Sequence, residues 1–252
     1  LKLTEFHYEL PEGLIAQKPL KQRDMARLMV VDRSGGGIEE KVFRDITAYF
    51  KKGDCLVLND TRVMPVRLYG RRKTGAKVEI FVLNPVSKDP EALVRPSKRV
   101  KEGEEIELES GIHATVLGRS KMGRHVKFDA PVSEVLKGAH MPLPPYITRG
   151  DTSSDRRDYQ TVYASRDGAT ASPTAGLHFT KELLGKLEEK GVKLAYITLH
   201  TSYGTFAPVK TEDIEDHVMH AEYYELDRRA ADIINEARSS GGRVFAVGTT
   251  SA

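Results

Sequence analysis

The 252-residue chain has one cysteine and no tryptophan. A lone cysteine excludes an intrachain disulfide and any thiolate metal cluster. Cys55 lies inside the apolar run Cys55-Leu56-Val57-Leu58, where a small buried hydrophobe is the expected role, not a nucleophile. Such cysteine usage fits a reducing, cytoplasmic compartment. No apolar run approaches the roughly 18 residues of a membrane span, and the opening Leu1-Lys2-Leu3-Thr4-Glu5 has no apolar core of a secretion signal. Missing too are a Gly-Lys-Ser/Thr phosphate loop, a glycine-rich dinucleotide turn after a first strand, and the order His-Glu-x-x-His. The segment His217-Val218-Met219-His220-Ala221-Glu222 has no cysteine partner and no second acidic pair at ligand spacing, so no metal is expected there.

What is present is a globular balance of 39% hydrophobic and 30% charged residues, enough chain for one large or two ordinary domains with a real core. The net charge of +3 is unevenly spread. Residues 66–150 hold sixteen Lys and Arg against ten Asp and Glu, so that this segment is basic and the remainder slightly acidic. A basic module suits a polyanionic partner; a well-solvated charged surface is the competing explanation, because the acidic run Glu102–Glu109 interrupts the basic one.

Three regions differ in pattern. In residues 1–65, Pro11 precedes a short helical pattern at Leu14-Ile15, and Leu28–Val31 reads as a strand. Phe43, Ile46, Tyr49 and Phe50 recur at helical spacing before Gly53, and Cys55–Leu58 reads as a buried strand running into the turn Asn59-Asp60-Thr61-Arg62. Residues 66–150 offer short strands at Val66–Tyr69, Lys77–Leu83, Ala92–Arg95, Glu105–Leu108, His113–Leu117 and Arg124–Phe128. Strands this short with frequent turns predict a small β-barrel, closed by the stiff crossing Met141-Pro142-Leu143-Pro144-Pro145-Tyr146. In residues 151–252, Thr180 caps a helix over Lys181–Lys190 and Val192–Leu199 is a strand. Asp227 caps a second helix over Arg228–Arg238, and Arg243–Val247 is another strand. Helices feeding buried strands make an α/β domain. The expected architecture is therefore an α/β main domain, residues 1–65 and 151–252, with an antiparallel β-barrel inserted at 66–150.

In open α/β sheets ligands gather beyond the carboxyl ends of the strands. The loops to inspect are Asp60-Thr61-Arg62, His200-Thr201, Gly204-Thr205-Phe206 and Gly248-Thr249-Thr250-Ser251. A further run, Gly168 to Thr180, is built of small residues and leads into a helix. Small side chains let a ligand approach the backbone, and the helix start offers free N–H groups to a carboxylate or phosphate; tight packing is the alternative use. Four histidines cluster late in the chain: His178, His200, His217 and His220. General acid/base work near neutral pH suits them better than metal binding. His178 and His220 draw most interest, since each adjoins a small-residue or acidic segment.

These segments together resemble one family. Tyr159-Gln160-Thr161-Val162-Tyr163 and Pro173-Thr174-Ala175-Gly176-Leu177-His178-Phe179-Thr180 are similar to S-adenosylmethionine:tRNA ribosyltransferase-isomerases of queuosine biosynthesis. So, in order along the chain, are Glu9–Gln17, Leu58–Val63, Pro142–Ile147, Gly204-Thr205-Phe206, Met219–Tyr223 and Val247–Ser251. The chain departs from the family pattern at Ala26, Thr170, Ser172 and Thr201-Ser202. Family members also continue beyond the Thr249-Thr250-Ser251 segment, so site residues from that part lie outside this sequence.

The resemblance implies an α/β domain with an inserted barrel. It implies transfer of the ribosyl carbons of S-adenosylmethionine, a co-substrate and not a prosthetic group, to 7-aminomethyl-7-deazaguanine at the tRNA wobble position. Adenine and methionine leave, and epoxyqueuosine-tRNA is formed. The expected acid/base groups are His178, His220, Asp60 and Glu222. Substrate contacts are expected from Arg62, Tyr159, Thr174, Gly176, Gly204, Thr205, Phe206, Thr249 and Thr250, with stacking on a base or core packing as the two equal readings of Tyr159, Tyr203 and Phe206. An ion pair within the turn is the structural alternative for Asp60 and Arg62. Arg71, Arg72, Lys98 and Arg99 are expected to hold tRNA phosphates near the anticodon region. The protein is expected to be a cytoplasmic monomer with no membrane association. Rival classes are an S-adenosylmethionine-dependent RNA methyltransferase and a non-catalytic RNA-binding protein.

Overall fold

The computed structural model describes all residues, Leu1–Ala252. The chain opens with short 3-10 turns and a hairpin, β1 (Arg27–Val31) with β2 (Ile38–Val42). Then come β3 (Cys55–Asn59) and β4 (Thr61–Val63). Six strands follow: β5 (Arg67–Arg72), β6 (Lys77–Val82), β7 (Glu91–Arg95), β8 (Glu105–Leu108), β9 (His113–Arg119) and β10 (Arg124–Phe128). After the short helices α1 (Val132–Val135) and α2 (Asp155–Asp158) come β11 (Arg166–Ala169), α3 (Lys181–Glu189) and β12 (Lys193–Leu199). The chain ends with β13 (Tyr224–Glu225), α4 (Arg228–Ser239) and β14 (Val244–Ala246).

The main sheet has the order β13-β12-β3-β14, with β12 and β14 parallel to β3 on either side. Every residue of β3 is buried, as expected of a central parallel strand covered on both faces. The period of two separates its side chains. Leu56 and Leu58 pack with Leu183, Leu184 and Leu187 of α3, whereas Cys55 and Val57 pack with Ala230 and Ala237 of α4. Both long helices start at side-chain caps: Leu183 N donates to Thr180 Oγ1 at 3.1 Å, and Ala230 N donates to Asp227 Oδ1 at 2.7 Å. No helix is long and apolar enough to cross a membrane.

Strands β5–β10 close into an antiparallel barrel in the order β10-β7-β6-β5-β8-β9. Alternate residues, among them Val78, Ile80, Val82, Ile106, Val116 and Val126, fill its interior, and closure leaves no free edge. All six barrel strands and the two capped helices stand where alternation and capping place them. The fold is thus α/β with a β-barrel. Three local expectations need correction. The stretch from Phe43 to Tyr49 is a 3-10 helix, and the Leu14-Ile15 pattern is a short 3-10 turn at Glu12–Leu14. The hairpin arm β2 was not anticipated, because Ile38-Glu39-Glu40-Lys41-Val42 is almost wholly exposed and shows no apolar alternation.

The barrel is tied to the following linker through His140. Its Nδ1 lies 2.7 Å from Asp151 Oδ1 and its Nε2 lies 3.3 Å from Glu109 Oε2, while its backbone pairs with Arg67. Burial opposes the imidazolium, but the bonds to Asp151 and Glu109 outweigh it and raise the pKa above 6.5. The unfolded histidine has the ordinary value, so the contribution of this latch to stability is full below about pH 6.5. It is lost as the pH rises through the higher folded value. Urea unfolding between mildly acidic and alkaline pH should show this decline in the wild type, and His140→Ala should flatten that part of the profile; an unchanged profile would contradict the assignment.

Candidate functional site

The site begins with Asn59, the last residue of β3 and fully buried. Its Nδ2 donates to Leu199 O at 2.9 Å, and its Oδ1 accepts from Leu199 N and Thr61 N, both at 3.1 Å. This carboxamide clamps the carboxyl ends of β3 and β12 together and turns the chain into β4. Asp60 then accepts from Thr198 Oγ1 and Ser165 Oγ, each at 2.7 Å. Thr61 Oγ1 lies 2.8 Å from His200 Nδ1.

The His200 ring stacks on Tyr223, with centroids 5.4 Å apart and planes at 22°. On another side lies Gly168, with φ at +149°. A Cβ there would come within 2.6–2.8 Å of the Nε2, Cδ2 and Cε1 atoms of His200, so the position requires glycine. Burial lowers the His200 pKa, and nearby Asp60 only partly offsets this. The imidazole is therefore neutral at pH 7 and able to accept a proton.

A second cluster surrounds Glu222. Its Oε1 accepts from Ser202 N at 2.6 Å and Ser202 Oγ at 2.9 Å, and lies 3.5 Å from Thr205 Oγ1. His220 packs on Gly204, where a Cβ would sit 2.7 Å from its Cδ2. Between these residues, Tyr203 reaches the barrel: its hydroxyl accepts from Arg95 Nη2 at 2.6 Å, and its ring meets Phe81 edge-on at 5.1 Å.

A third element is a cavity of about 190 Å³ bordered by Ala16–Pro19, Pro144, Tyr146, Tyr159, Thr174 and Leu177. Gln17 shapes its rim by donating to Tyr146 O at 3.0 Å and accepting from Thr148 N at 2.8 Å. Arg149 donates to Gln17 O at 2.7 Å and forks onto Asp155 at 2.8 and 2.7 Å. The Arg149 guanidinium holds the buried Asp155 carboxyl at about 2, so this clamp stays ionised throughout the neutral range. Phe206 meets Tyr146 edge-on at 6.5 Å and connects the cavity to the Glu222 cluster.

All three border the small-residue run. Thr170 N and Ala171 N donate to Thr201 O at 2.8 and 3.2 Å, and Ser172 N donates to Tyr159 Oη at 3.2 Å. The β14 loop arrives at Gly248, whose absent Cβ would lie 3.2 Å from Ala175. Around this run the buried hydroxyls of Thr161, Thr170, Ser172, Thr201, Thr250 and Ser251 have no hydrogen-bond partner. Native interiors satisfy most buried polar groups, so this concentration marks the run as more than packing.

The structure brings together Asp60 with the His200 loop, and His220 and Glu222 with Gly204 and Thr205. Phe206 and Thr174 border the cavity side. Thr250 is half-buried near Gly248, and Thr249 is exposed. Other expected contacts fall elsewhere. His178 lies against Phe43, 5.2 Å between centroids, and burial lowers its pKa despite a backbone bond at Arg23; no hydrogen bond joins it to Asp60, His220 or Glu222. Tyr159 borders the cavity but is only 6% exposed, since most of its ring packs with Val63, Met141, Leu143 and Ala169. Gly176 is buried against Tyr163, whose hydroxyl would meet a Cβ at 2.1 Å; packing, not ligand approach, requires this glycine. Asp60 and Arg62 form no turn ion pair: Arg62 donates to Ala164 O at 2.8 Å and lies 3.6 Å from Asp167.

On the barrel, Arg72 is paired bidentately with Glu104 and is not a free phosphate contact. Arg71, Lys98 and Arg99 make no ion pair. Arg71 donates to Gly75 O at 3.2 Å, and Lys98 and Arg99 are exposed. The sequence marks His200 as a strand-end residue and one of four histidines but does not choose it among the acid/base groups. It gives Gln160, part of a resembling segment, no role, although that side chain brackets the Val63 backbone at 3.0 and 2.6 Å. The signal for His200 was its position directly after a buried strand. No local pattern distinguishes Gln160 from any surface glutamine.

Substituting Gly168 tests this geometry directly. Gly168→Ala adds a Cβ into the imidazole at a backbone conformation that alanine resists, so the ring should move off Thr61 and into solvent. In an NMR titration, the His200 pKa should then rise toward the ordinary 6.5; an unchanged titration would show that the ring does not depend on this glycine.

The sequence matches the family of queuosine biosynthesis proteins over residues 3–252. It is also similar to a solved structure, the S-adenosylmethionine tRNA ribosyltransferase from Thermotoga maritima. The two are 33% identical, with 98% of this chain and 70% of that chain covered, at a TM-score of 0.45. With a family match running almost end to end and including every segment that builds the site, the chain belongs to the queuosine biosynthesis protein family.

Proposed function

We propose that this enzyme transfers and isomerises the ribosyl moiety of S-adenosylmethionine onto 7-aminomethyl-7-deazaguanine at the wobble position of tRNA. Epoxyqueuosine-tRNA is formed and adenine and methionine are released. The observation that carries this reading is the convergence of the His200–Asp60 group, the Glu222–Ser202 group and the Tyr146 cavity on one small-residue run. Asp60, Glu222, Tyr146 and the Pro173–Thr180 part of that run lie in segments by which the chain resembles its family.

The reaction sets definite demands. A carbon beside a sulfonium is acidified, and a base can take its proton to leave a ylide. The nucleobase amine loses a proton as it bonds to the ribose, adenine departs with a proton, and the sugar ring rearranges to close the epoxide C–O bond as methionine leaves with the electron pair of the broken C–S bond. In this reading His200 is the base, because it is neutral at pH 7, oriented by Thr61 and held between Gly168 and Tyr223. Asp60 positions the surrounding loop through Thr198 and Ser165. In the same reading His220 and Glu222 return a proton to adenine. His178 is assigned to packing. The co-substrate is S-adenosylmethionine, with no resident prosthetic group. The barrel module, residues 66–150, approaches the anticodon region, and the protein works as a cytoplasmic monomer.

One assay separates this reading from its rivals. The enzyme is given S-adenosylmethionine and tRNA bearing the precursor base, and the small molecules released are identified. Adenine plus methionine is expected; S-adenosylhomocysteine would instead mean methylation, and no turnover would mean binding alone. His200→Gln should lower kcat by about 100- to 10,000-fold and remove the acidic limb of the pH–rate profile, while His178→Gln should leave that limb in place.

A further inference from the structure

The barrel's charges are not distributed as its sequence order suggests. The acidic run at Glu102–Glu109 is largely neutralised from β5 and the barrel's other flank: Glu104 pairs with Arg72, Glu105 lies 3.3 Å from Lys73, and Glu109 lies 3.3 Å from His140. Arg67 is likewise 3.5 Å from Glu79. At the same end of the barrel as the Arg72–Glu104 pair, the loop after β7 and the β9–β10 hairpin carry Lys98, Arg119 and Arg124, none of which enters an ion pair. Glu102, which lies 3.8 Å from where a Cβ of Gly118 would stand, forms no ion pair with them.

At that end a hollow of about 430 Å³ is lined by Ser97, Lys98, Arg119, Gly123 and Arg124, with no acidic residue. Its construction is specific. Arg119 and Arg124 are register partners on adjacent antiparallel strands, and like charges placed directly opposite destabilise a sheet. The ladder breaks register just after Arg124, a bulge that re-aims side chains. Gly123 allows the hairpin to close onto β7, since a Cβ there would meet Ala92 O at 2.3 Å. The Arg124 guanidinium reaches the Ser97 and Val100 carbonyls at 3.5 Å each, which spans the hollow. A like-charge pair held opposite, with a third cation beside it and no carboxylate lining the hollow, lacks only an anion.

We propose that this hollow, walled by Lys98, Arg119 and Arg124, is a subsite for a backbone phosphate of the tRNA substrate; it rests on the tRNA reading given above. Neutral donors would suffice for a sugar hydroxyl, and no aromatic ring lines the hollow to stack a base. Three cations and an open mouth suit a phosphodiester, in which an arginine can fork onto the oxygens. The contact is independent of base identity, so it contributes affinity and salt dependence, not sequence selection.

The test measures binding of an unmodified tRNA transcript by fluorescence anisotropy over about 50–200 mM salt. For the Lys98→Ala/Arg119→Gln/Arg124→Gln variant, the slope of log K against log salt should shrink by about 1 to 2. With precursor tRNA, KM for tRNA should rise while kcat at saturating tRNA stays level. Arg228→Ala/Arg229→Ala/Arg238→Ala, which removes three exposed cations from α4, controls for net charge. Arg119→Gln alone should raise or preserve the Tm of the free protein, because it relieves the opposed pair. Lys98→Ala lies in an exposed loop and serves if the triple variant does not fold. An unchanged slope and KM in a folded variant overturns the subsite. If the wild type releases no adenine but the slope still shrinks, the proposed reaction fails and the phosphate subsite stands.

Discussion

The buried carboxamide of Asn59 is the interaction on which the rest of the site depends. Its three hydrogen bonds replace the next rung of the β3–β12 ladder and satisfy the strand ends that would otherwise be left bare. A buried polar group without partners costs about 1–3 kcal/mol, so this arrangement strongly favours one path for the chain beyond the sheet. That path sends β4 to pair with β11 and puts Asp60 and Thr61 beside Ser165 and His200.

Once the strand ends are fixed, close packing does the positioning. Gly168 lies against His200, Gly176 against Tyr163, Gly204 against His220 and Gly248 against Ala175. Three of these glycines therefore occupy places where an aromatic side chain has already taken the space of a Cβ, and at Gly248, with φ at +82°, a Cβ would press on Ala175. The unpartnered hydroxyls around them show that packing is not the whole purpose, since an apolar run would fill the same volume at lower cost. Tyr203 and His140 link this region to the barrel by two separate routes, one through Arg95 and Phe81 and the other through Glu109 and Arg67. The barrel is thereby connected to the loops that carry His200, His220 and Glu222.

The barrel strands were legible because each buries one face, and Val78, Ile80 and Val82 spell that period of two without help from tertiary structure. The helices were legible from Thr180 and Asp227, whose caps operate within three residues. The β2 arm and β11 were not: both are short and charged, β2 is almost wholly exposed and β11 buries only Ala169 fully, so no apolar alternation marks them. At the site, the sequence marks the loops after the buried strands, whereas the grouping of Glu222 with Ser202 and Thr205 comes from the structure alone. The choice among histidines was not legible. His178 and His200 differ in what folds over them from distant parts of the chain, Phe43 in one case and Thr61 and Tyr223 in the other. Arg72 illustrates the same limit, since its partner Glu104 is 32 positions away. Tyr159, for which stacking and core packing were equal readings, is spent mostly on the core.

The central claim is that S-adenosylmethionine lies along the Gly168–Leu177 run with its sulfonium side toward His200. A crystal structure with S-adenosylmethionine bound tests this most directly. The account predicts ligand density against that run, with the carbon beside the sulfur facing His200 Nε2. Density confined to the His178–Phe43 side, or to the barrel, would contradict it.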